Sequence, residues 1–247
     1  MVKGAWWVDS PVAVATLAAA GFSLYIIPDI TDAQLDATLD AVPPGHYPIV
    51  LLRGDAARKE ATVRRLKGRN FFGYITHDEP NVGGTLLGVW TQQEYYETVK
   101  RIDPWKQVLA SYHVEPWGMS SPNFVARTPR YAWDYVLLNY YPATWGVSDE
   151  QAAANLRSAT AAARAFFPSS ALILPIQQAA GRTSVVNMIP GQTYLRPIPG
   201  LLQAQADIWR ASGLQTVDAF TWYGWGTNPE NWNLHDPAVL AEAAAVR

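Results

Sequence analysis

The sequence predicts an α/β fold, a single (β/α)8 TIM barrel spanning residues 1–247 as one domain. Short β-rich runs alternate with Ala-rich helical runs along the whole chain. Eight such pairs share the 247 residues at about 31 residues each, which is the count and length of that barrel. Nearly every strand candidate also ends in a polar residue, and a barrel gathers those ends around one mouth.

The elements follow in order. Strand one is Ala5 to Asp9, and its helix runs from about Pro11 to Ala20, with Pro in the first turn and Gly21 after the last. Phe22 to Asp29 leads to a helix over Thr31 to Val42, where Thr31 caps and Leu35, Leu39 and Val42 form the apolar stripe. Tyr47 to Asp55 pairs with Ala56 to Lys67, and Asn70 to Glu79 with Thr91 to Ile102. Gln107 to Glu115 is strand five, with its helix somewhere in Ser121 to Trp133. Tyr135 to Tyr141 precedes a long Ala-rich helix over Ser148 to Phe167. Ala171 to Gln178 is strand seven, followed by a loop and a helix from Leu201 to Ala211. Thr216 to Gly224 is strand eight, and Pro237 to Val246 closes the chain. A doubly wound open sheet also alternates strands and helices. Asp9-Ser10-Pro11 stands where that fold would carry a Gly-rich phosphate loop.

Composition narrows the function classes. The chain is 49% hydrophobic and 16% charged, enough to bury a sizeable core. Lys and Arg number 19 against 21 Asp and Glu, with no basic run, so neither nucleic acid nor an anionic membrane surface is expected as a partner. Cysteine is absent, which excludes a disulfide scaffold, thiolate metal sites and a Cys nucleophile, and leaves the compartment open. Met1 to Trp7 has one Lys and no apolar stretch long enough for a signal peptide, and no run approaches a membrane span. A soluble chain is therefore expected. Most of the 11 Trp, 12 Tyr and 7 Phe are expected in the core; a surplus of Trp also suits sugar-stacking platforms, and composition alone does not choose between those uses.

The densest polar cluster is Gly73-Tyr74-Ile75-Thr76-His77-Asp78-Glu79-Pro80-Asn81 at the end of strand four. Adjacent carboxylates in a partly buried place cannot both ionise freely, so one stays protonated near neutral pH and can serve as an acid. Pro80 ends the strand there. Glu115, in Tyr112-His113-Val114-Glu115-Pro116, ends strand five in the same way. It is the first candidate for a second carboxylate, followed by Asp9 and Asp29. His77 and His113 make a site of two imidazoles and one carboxylate conceivable, since 77 and 79 share a face, as do 113 and 115. No His-x-His pair follows strand one, and no motif calls for a cofactor.

The Tyr-x-x-x-Asp-Glu-Pro stretch resembles the glycoside hydrolase barrels. In clan A, strand four ends in Asn-Glu, the Glu is the acid/base, and a second Glu on strand seven is the nucleophile. Glu79 matches that acid, with Asp78 in place of the Asn, but strand seven here ends Pro175-Ile176-Gln177-Gln178. An adjacent Asp-Glu pair ending strand four is similar to families 20 and 123, the substrate-assisted N-acetylhexosaminidases. That resemblance implies Glu79 as the general acid and Asp78 orienting an acetamido group whose carbonyl attacks, with Tyr141 or Tyr140 bonding its oxygen. Such enzymes depart from the usual two-carboxylate arrangement.

Carbohydrate is thus the expected partner. Asp9, Asp29, Tyr141, Gln178, Trp222 and Trp225 are the substrate-binding candidates around the mouth, with Trp145 on the same rim. Indole faces at positions 222 and 225 suit a sugar's apolar C–H face. Trp6, Trp7, Trp90, Trp105 and Trp209 are expected to be packing residues. The expected function is a glycoside hydrolase acting on a polysaccharide or glycan. The alternatives are a catalytically silent carbohydrate-binding barrel and a metal-dependent hydrolase. The sequence leaves the sugar, the linkage and the oligomeric state open.

The loop Gly181 to Gly200 is long for a connection of its kind and carries Val185, Val186, Met188 and Ile189. It is expected to form a lid or subsite wall. Deleting it should weaken substrate affinity in a binding titration while leaving Tm nearly unchanged; a large loss of Tm would assign the loop to the core.

Overall fold

A computed structural model of the chain describes residues 2–80, 88–114, 132–142, 147–179, 181–182, 200–214, 219–223, 231–232, 234 and 236–247. The chain runs β1 (Val2–Trp6), α1 (Pro11–Ala19), β2 (Leu24–Pro28), α2 (Asp32–Asp40), β3 (Tyr47–Leu51), α3 (Ala56–Leu66), β4 (Gly73–Asp78) and α4 (Val89–Ile102). It continues through β5 (Gln107–His113), β6 (Tyr135–Asn139), α5 (Asp149–Phe166), β7 (Leu172–Gln178) and β8 (Gly181–Arg182). The last elements are α6 (Leu201–Ala211), β9 (Ala219–Tyr223), β10 (Asn231–Trp232) and α7 (Pro237–Ala245).

Strands β1 to β7 pair in sequence order, all parallel, and β9 pairs with both β7 and β1, so the sheet curls back onto itself. β8 and β10 form a separate antiparallel pair. The helix expected within Ser121 to Trp133 lies outside the described residues up to position 131, as does most of the loop Gly181 to Gly200.

Local chemistry explains the starts of the helices. Ser10, Thr31, Asp55, Ser148 and Asp236 each accept a backbone N–H of the first turn, satisfying a donor that has no partner inside the helix. Pro11 and Pro237 occupy first-turn positions where a missing N–H costs nothing.

Side chains alternate across the sheet and build two cores. Trp6, Leu24, Ile26, Ile49, Leu51, Ile75, Leu109, Leu137, Leu174 and Ile176 fill the interior of the curled sheet. Tyr25, Ile27, Val50, Tyr74, Val108, Tyr112, Val136 and Ile173 face the helices. Burial on both faces is why these strands carry nearly continuous apolar runs.

Strand one begins and ends about three residues earlier than its hydrophobicity suggested. Trp7 adopts a left-handed backbone with φ 67, which breaks the extended run Ala5-Trp6-Trp7-Val8. The same turn lets consecutive rings, Trp6 and Trp7, both pack on the inner cluster. Trp209 is fully buried as expected, but Trp90 and Trp105 are not packing residues: they stand 84% and 89% exposed, in the first turn of α4 and in the α4–β5 connection.

Gly73 opens β4 against β5 at a distance no side chain tolerates. A Cβ there would lie 2.2 Å from the Gln107 carbonyl oxygen. Gly73→Ala must therefore part the two strands that carry the site. It should lower the denaturant-unfolding stability by about 1–3 kcal/mol or more, the usual range for overpacking; an unchanged midpoint would show that the strands move apart freely.

Candidate active site

The C-terminal ends of the strands gather a polar cluster above the inner core. β4 brings Asp78 and Glu79, β5 brings Ser111 and His113, and β6 brings Asn139 with Tyr141 just beyond. From β3, Arg53 lies two residues past Leu51, its guanidinium carbon 4.9 Å from the centre of the Trp7 ring.

Glu79 is held by its backbone and by its carboxylate. Its N–H donates to the Ser111 carbonyl at 3.0 Å, and the Asn139 side-chain amide donates to Oε1. Asn139 Oδ1 lies 3.1 Å from His113 Nδ1, so Glu79, Asn139 and His113 form a line across three neighbouring strand ends. The His113 ring centre is 6.3 Å from that of Tyr141, which packs on the inner cluster. Glu79 also sits at φ 47. Among the described residues Glu79 and Trp7 alone combine a side chain with positive φ, and both lie at strand ends on the mouth. Such strain, of order 1–3 kcal/mol, persists where the surroundings over-determine it, commonly at functional sites.

Asp78 is open to solvent on the mouth side, yet the protein packed around it deprives its ionised form of much of its hydration. Its pKa is pushed up to about 7, first by that desolvation and then by the neighbouring Glu79 charge. The Ser111 hydroxyl and the Arg53 guanidinium act in the opposite direction and offset only part of the rise.

The two histidines do not meet. His77 is 3% exposed and faces outward against Tyr95 of α4, ring centres 4.8 Å apart, while His113 belongs to the mouth. The expectation that 77 and 79 share a face fails because Glu79 turns left-handed at φ 47, while an extra residue in β4 turns His77 itself outward. Ile75 lies opposite Leu109 but Asp78 opposite Ser111, so Thr76 and His77 together face Ala110. Burial, and then the Lys59 charge, push the His77 imidazole down to about 3. Among the described residues no group of three or more His, Asp or Glu side chains is placed to hold a metal ion.

Asp29 also differs from its expected place. Its side chain has no exposed surface and accepts from Arg58 Nη2 and Thr62 Oγ1, both at 2.7 Å, in the helix layer. It clamps α3 to the sheet instead of facing the mouth. Asp55 caps α3. Asp9 is partly buried just past β1, and its carbonyl accepts from Gln34 Nε2 at 2.7 Å. Gln178 ends β7, and Trp222 lies in β9 opposite Ala5 and Gln177. Glu115, Trp145 and Trp225 lie outside the described residues.

Arg53, Ser111 and Asn139 were not singled out from the sequence. Alternation carries the signal for each: Ile49, Leu51, Arg53; Leu109, Ser111, His113; and Leu137, Asn139, Tyr141 continue inner-face series upward into the mouth.

No family model and no curated protein matches the chain. Solved structures do match its fold. A β-galactosidase from the Antarctic haloarchaeon Halorubrum lacusprofundi aligns over 99% of this chain and 57% of its own, with TM-score 0.69 and 12% identity. A family 39 glycoside hydrolase from Bacteroides cellulosilyticus WH2 aligns over 98% of this chain and 63% of its own, with TM-score 0.62 and 13% identity. A β-glucuronidase from Ruminococcus gnavus, in complex with D-glucuronic acid, aligns over 92% and 44%, with TM-score 0.60 and 11% identity. The likeness is one of fold, and this chain spans between 44% and 63% of the length of those three proteins. No described helix is long and apolar enough to cross a membrane.

The raised Asp78 carboxyl gives a pH test. Folding lifts its pKa from the ordinary carboxylate value near ~4 to about 7, so the folded protein binds more protons than the unfolded chain inside that window. Its contribution to stability therefore falls as pH rises from about 4 to about 7. Asp78→Asn should stabilise the protein relative to the parent in urea unfolding at pH 8 and have little effect at pH 4; an equal effect at both would return Asp78 to an ordinary carboxylate.

Proposed function

We propose that this chain is a glycoside hydrolase barrel, completed as (β/α)8, that cleaves a polysaccharide or glycan by proton donation from the Asp78–Glu79 pair. The observation that carries the reading is the environment of that pair. One carboxyl keeps its proton to about pH 7, and its neighbour accepts the Asn139 amide on a strained backbone. Leaving-group protonation needs an acid still protonated near working pH. In this reading the resting proton lies on Asp78, and Glu79 is the carboxyl fixed in orientation toward the bond. The fold neighbours include a β-galactosidase, a β-glucuronidase and a family 39 glycoside hydrolase, which supports carbohydrate as the substrate class.

The attacking group follows from the same pair. An acetamido carbonyl oriented by Asp78 and Tyr141 makes the mechanism substrate-assisted on N-acetylhexosaminides. Direct attack would instead need a further carboxylate, with Glu115 and Asp9 as the candidates, about 5–5.5 Å away for retention. Arg53 and Trp7 form one wall of the proposed subsite; Gln178, Trp222 and Trp225 remain proposed sugar contacts on the sequence alone. A second reading, a silent carbohydrate-binding barrel, is favoured by one feature: β7 ends in Gln177 and Gln178, with no carboxylate.

Glu79→Gln keeps size and hydrogen-bonding shape while removing the carboxyl that would pass the pair's proton to the leaving oxygen. On a polysaccharide panel it should lose about 10²–10⁴-fold in turnover and retain sugar binding. Full activity of both Glu79→Gln and Asp78→Asn would remove the pair from the chemistry. Binding without turnover in the parent would select the silent barrel.

A further inference from the structure

The extra residue in β4 decides what enters the mouth. In an unbroken ladder the residue two beyond Ile75 would stand opposite Ser111, and that residue is His77. The bulge hands the position to Asp78 and turns the imidazole outward onto Tyr95. A bulge frees backbone groups from the ladder, and each buried one needs another partner.

Lys59 supplies that partner. It projects from α3, is 8% exposed, and donates from Nζ to the Thr76 carbonyl at 2.7 Å, within the bulge itself. The same ammonium lies 4.4 Å from the centre of the Tyr95 ring, the ring that backs His77. No carboxylate pairs with it among the described residues. A buried ammonium without a counter-ion is costly, and burial pushes the Lys59 amine down to about 8. Lys59 stands one turn before Thr62 and Val63 and two before Leu66 on the buried face of α3, where an apolar residue would pack without that cost. Neither His77 ring nitrogen has a hydrogen-bond partner among the described residues, so no polar group described there holds the imidazole outward in its own right.

We infer that Lys59 is a positioning residue: by gripping the Thr76 carbonyl it locks the β4 bulge, so that the Asp78 carboxylate and not the His77 imidazole faces the mouth. The consequence for catalysis rests on the proposed role of the Asp78–Glu79 pair, whereas the consequence for the two side chains does not.

The test is NMR titration of the Asp78 carboxyl carbon and the His77 ring in the full chain, comparing the parent with Lys59→Met, Lys59→Gln and Lys59→Arg. In the parent, Asp78 titrates near pH 7 and His77 stays neutral down to about pH 3. In Lys59→Met the freed strand regains regular register. His77 then titrates toward the ordinary imidazole value of about 6.5, and the Asp78 midpoint leaves its place near 7. Lys59→Gln, too short to reach Thr76, gives the same change and serves if the methionine variant does not fold. Lys59→Arg keeps a cationic donor and restores the parent titrations. Lys59 is not among the charges acting on Asp78. Removing the Lys59 charge raises His77 by itself, so a folded Met or Gln variant in which Asp78 still titrates near 7 overturns the proposal whatever His77 does. A parent inactive on every glycan defeats the hydrolase reading and leaves these titrations to decide the role of Lys59. With an active parent, Lys59→Met should lose about 10²–10⁴-fold in turnover, the scale of removing a general acid.

Discussion

The pairing of β4 with β5 is the constraint on which the mouth depends. Gly73 lets the two strands approach so closely that a methyl group would collide with the Gln107 carbonyl, and this fixes the lower register. Three residues later the register slips by one, and Asp78 meets Ser111. Everything above follows from that slip. Glu79 comes within reach of the Ser111 carbonyl and the Asn139 amide, the chain turns left-handed, and Pro80 ends the strand. The carboxyl pair therefore stands on a backbone fixed from below by close packing and from the sides by two neighbouring strands.

Burial and charge then divide labour between the two faces of the sheet. On the outer face, Asp29, Arg58 and Thr62 tie α3 to β2. Lys59 on the same helix reaches the backbone of β4, so α3 touches both the second and the fourth strand. On the inner face, apolar side chains fill the space up to the level of Ile75, Leu109 and Leu137, and polar ones begin one step higher. That step is where a carboxyl is at once solvent-reachable and poorly hydrated, the condition that holds Asp78 protonated near neutral pH.

Much of this was legible in the sequence. The alternation of strands and helices, the caps at Thr31 and Ser148, and the Asp-Glu-Pro ending of β4 follow from periodicity and turn chemistry. Register was not legible, because a bulge changes nothing in composition while flipping each side chain beyond it. His77 was accordingly placed on the wrong face. Asp29 looked like another polar strand end, but whether such a residue faces the mouth or the helices depends on Arg58 and Thr62, about 30 residues away. Trp7 packs on the inner cluster as its hydrophobicity suggests, but hydrophobicity could not register the positive φ that ends β1 there. Arg53, Ser111 and Asn139 lay in plain alternation with inner-core residues and were recoverable by extending each series two positions.

The central claim is that a proton held by the Asp78–Glu79 pair is the one donated at the mouth. The pH dependence of kcat/KM on a hydrolysed glycan tests it most directly, because that profile follows the titration of the free enzyme's acid. The account predicts a rate that falls as pH rises through about 7, where Asp78 gives up its proton. A rate that stays level or climbs through that range would contradict it.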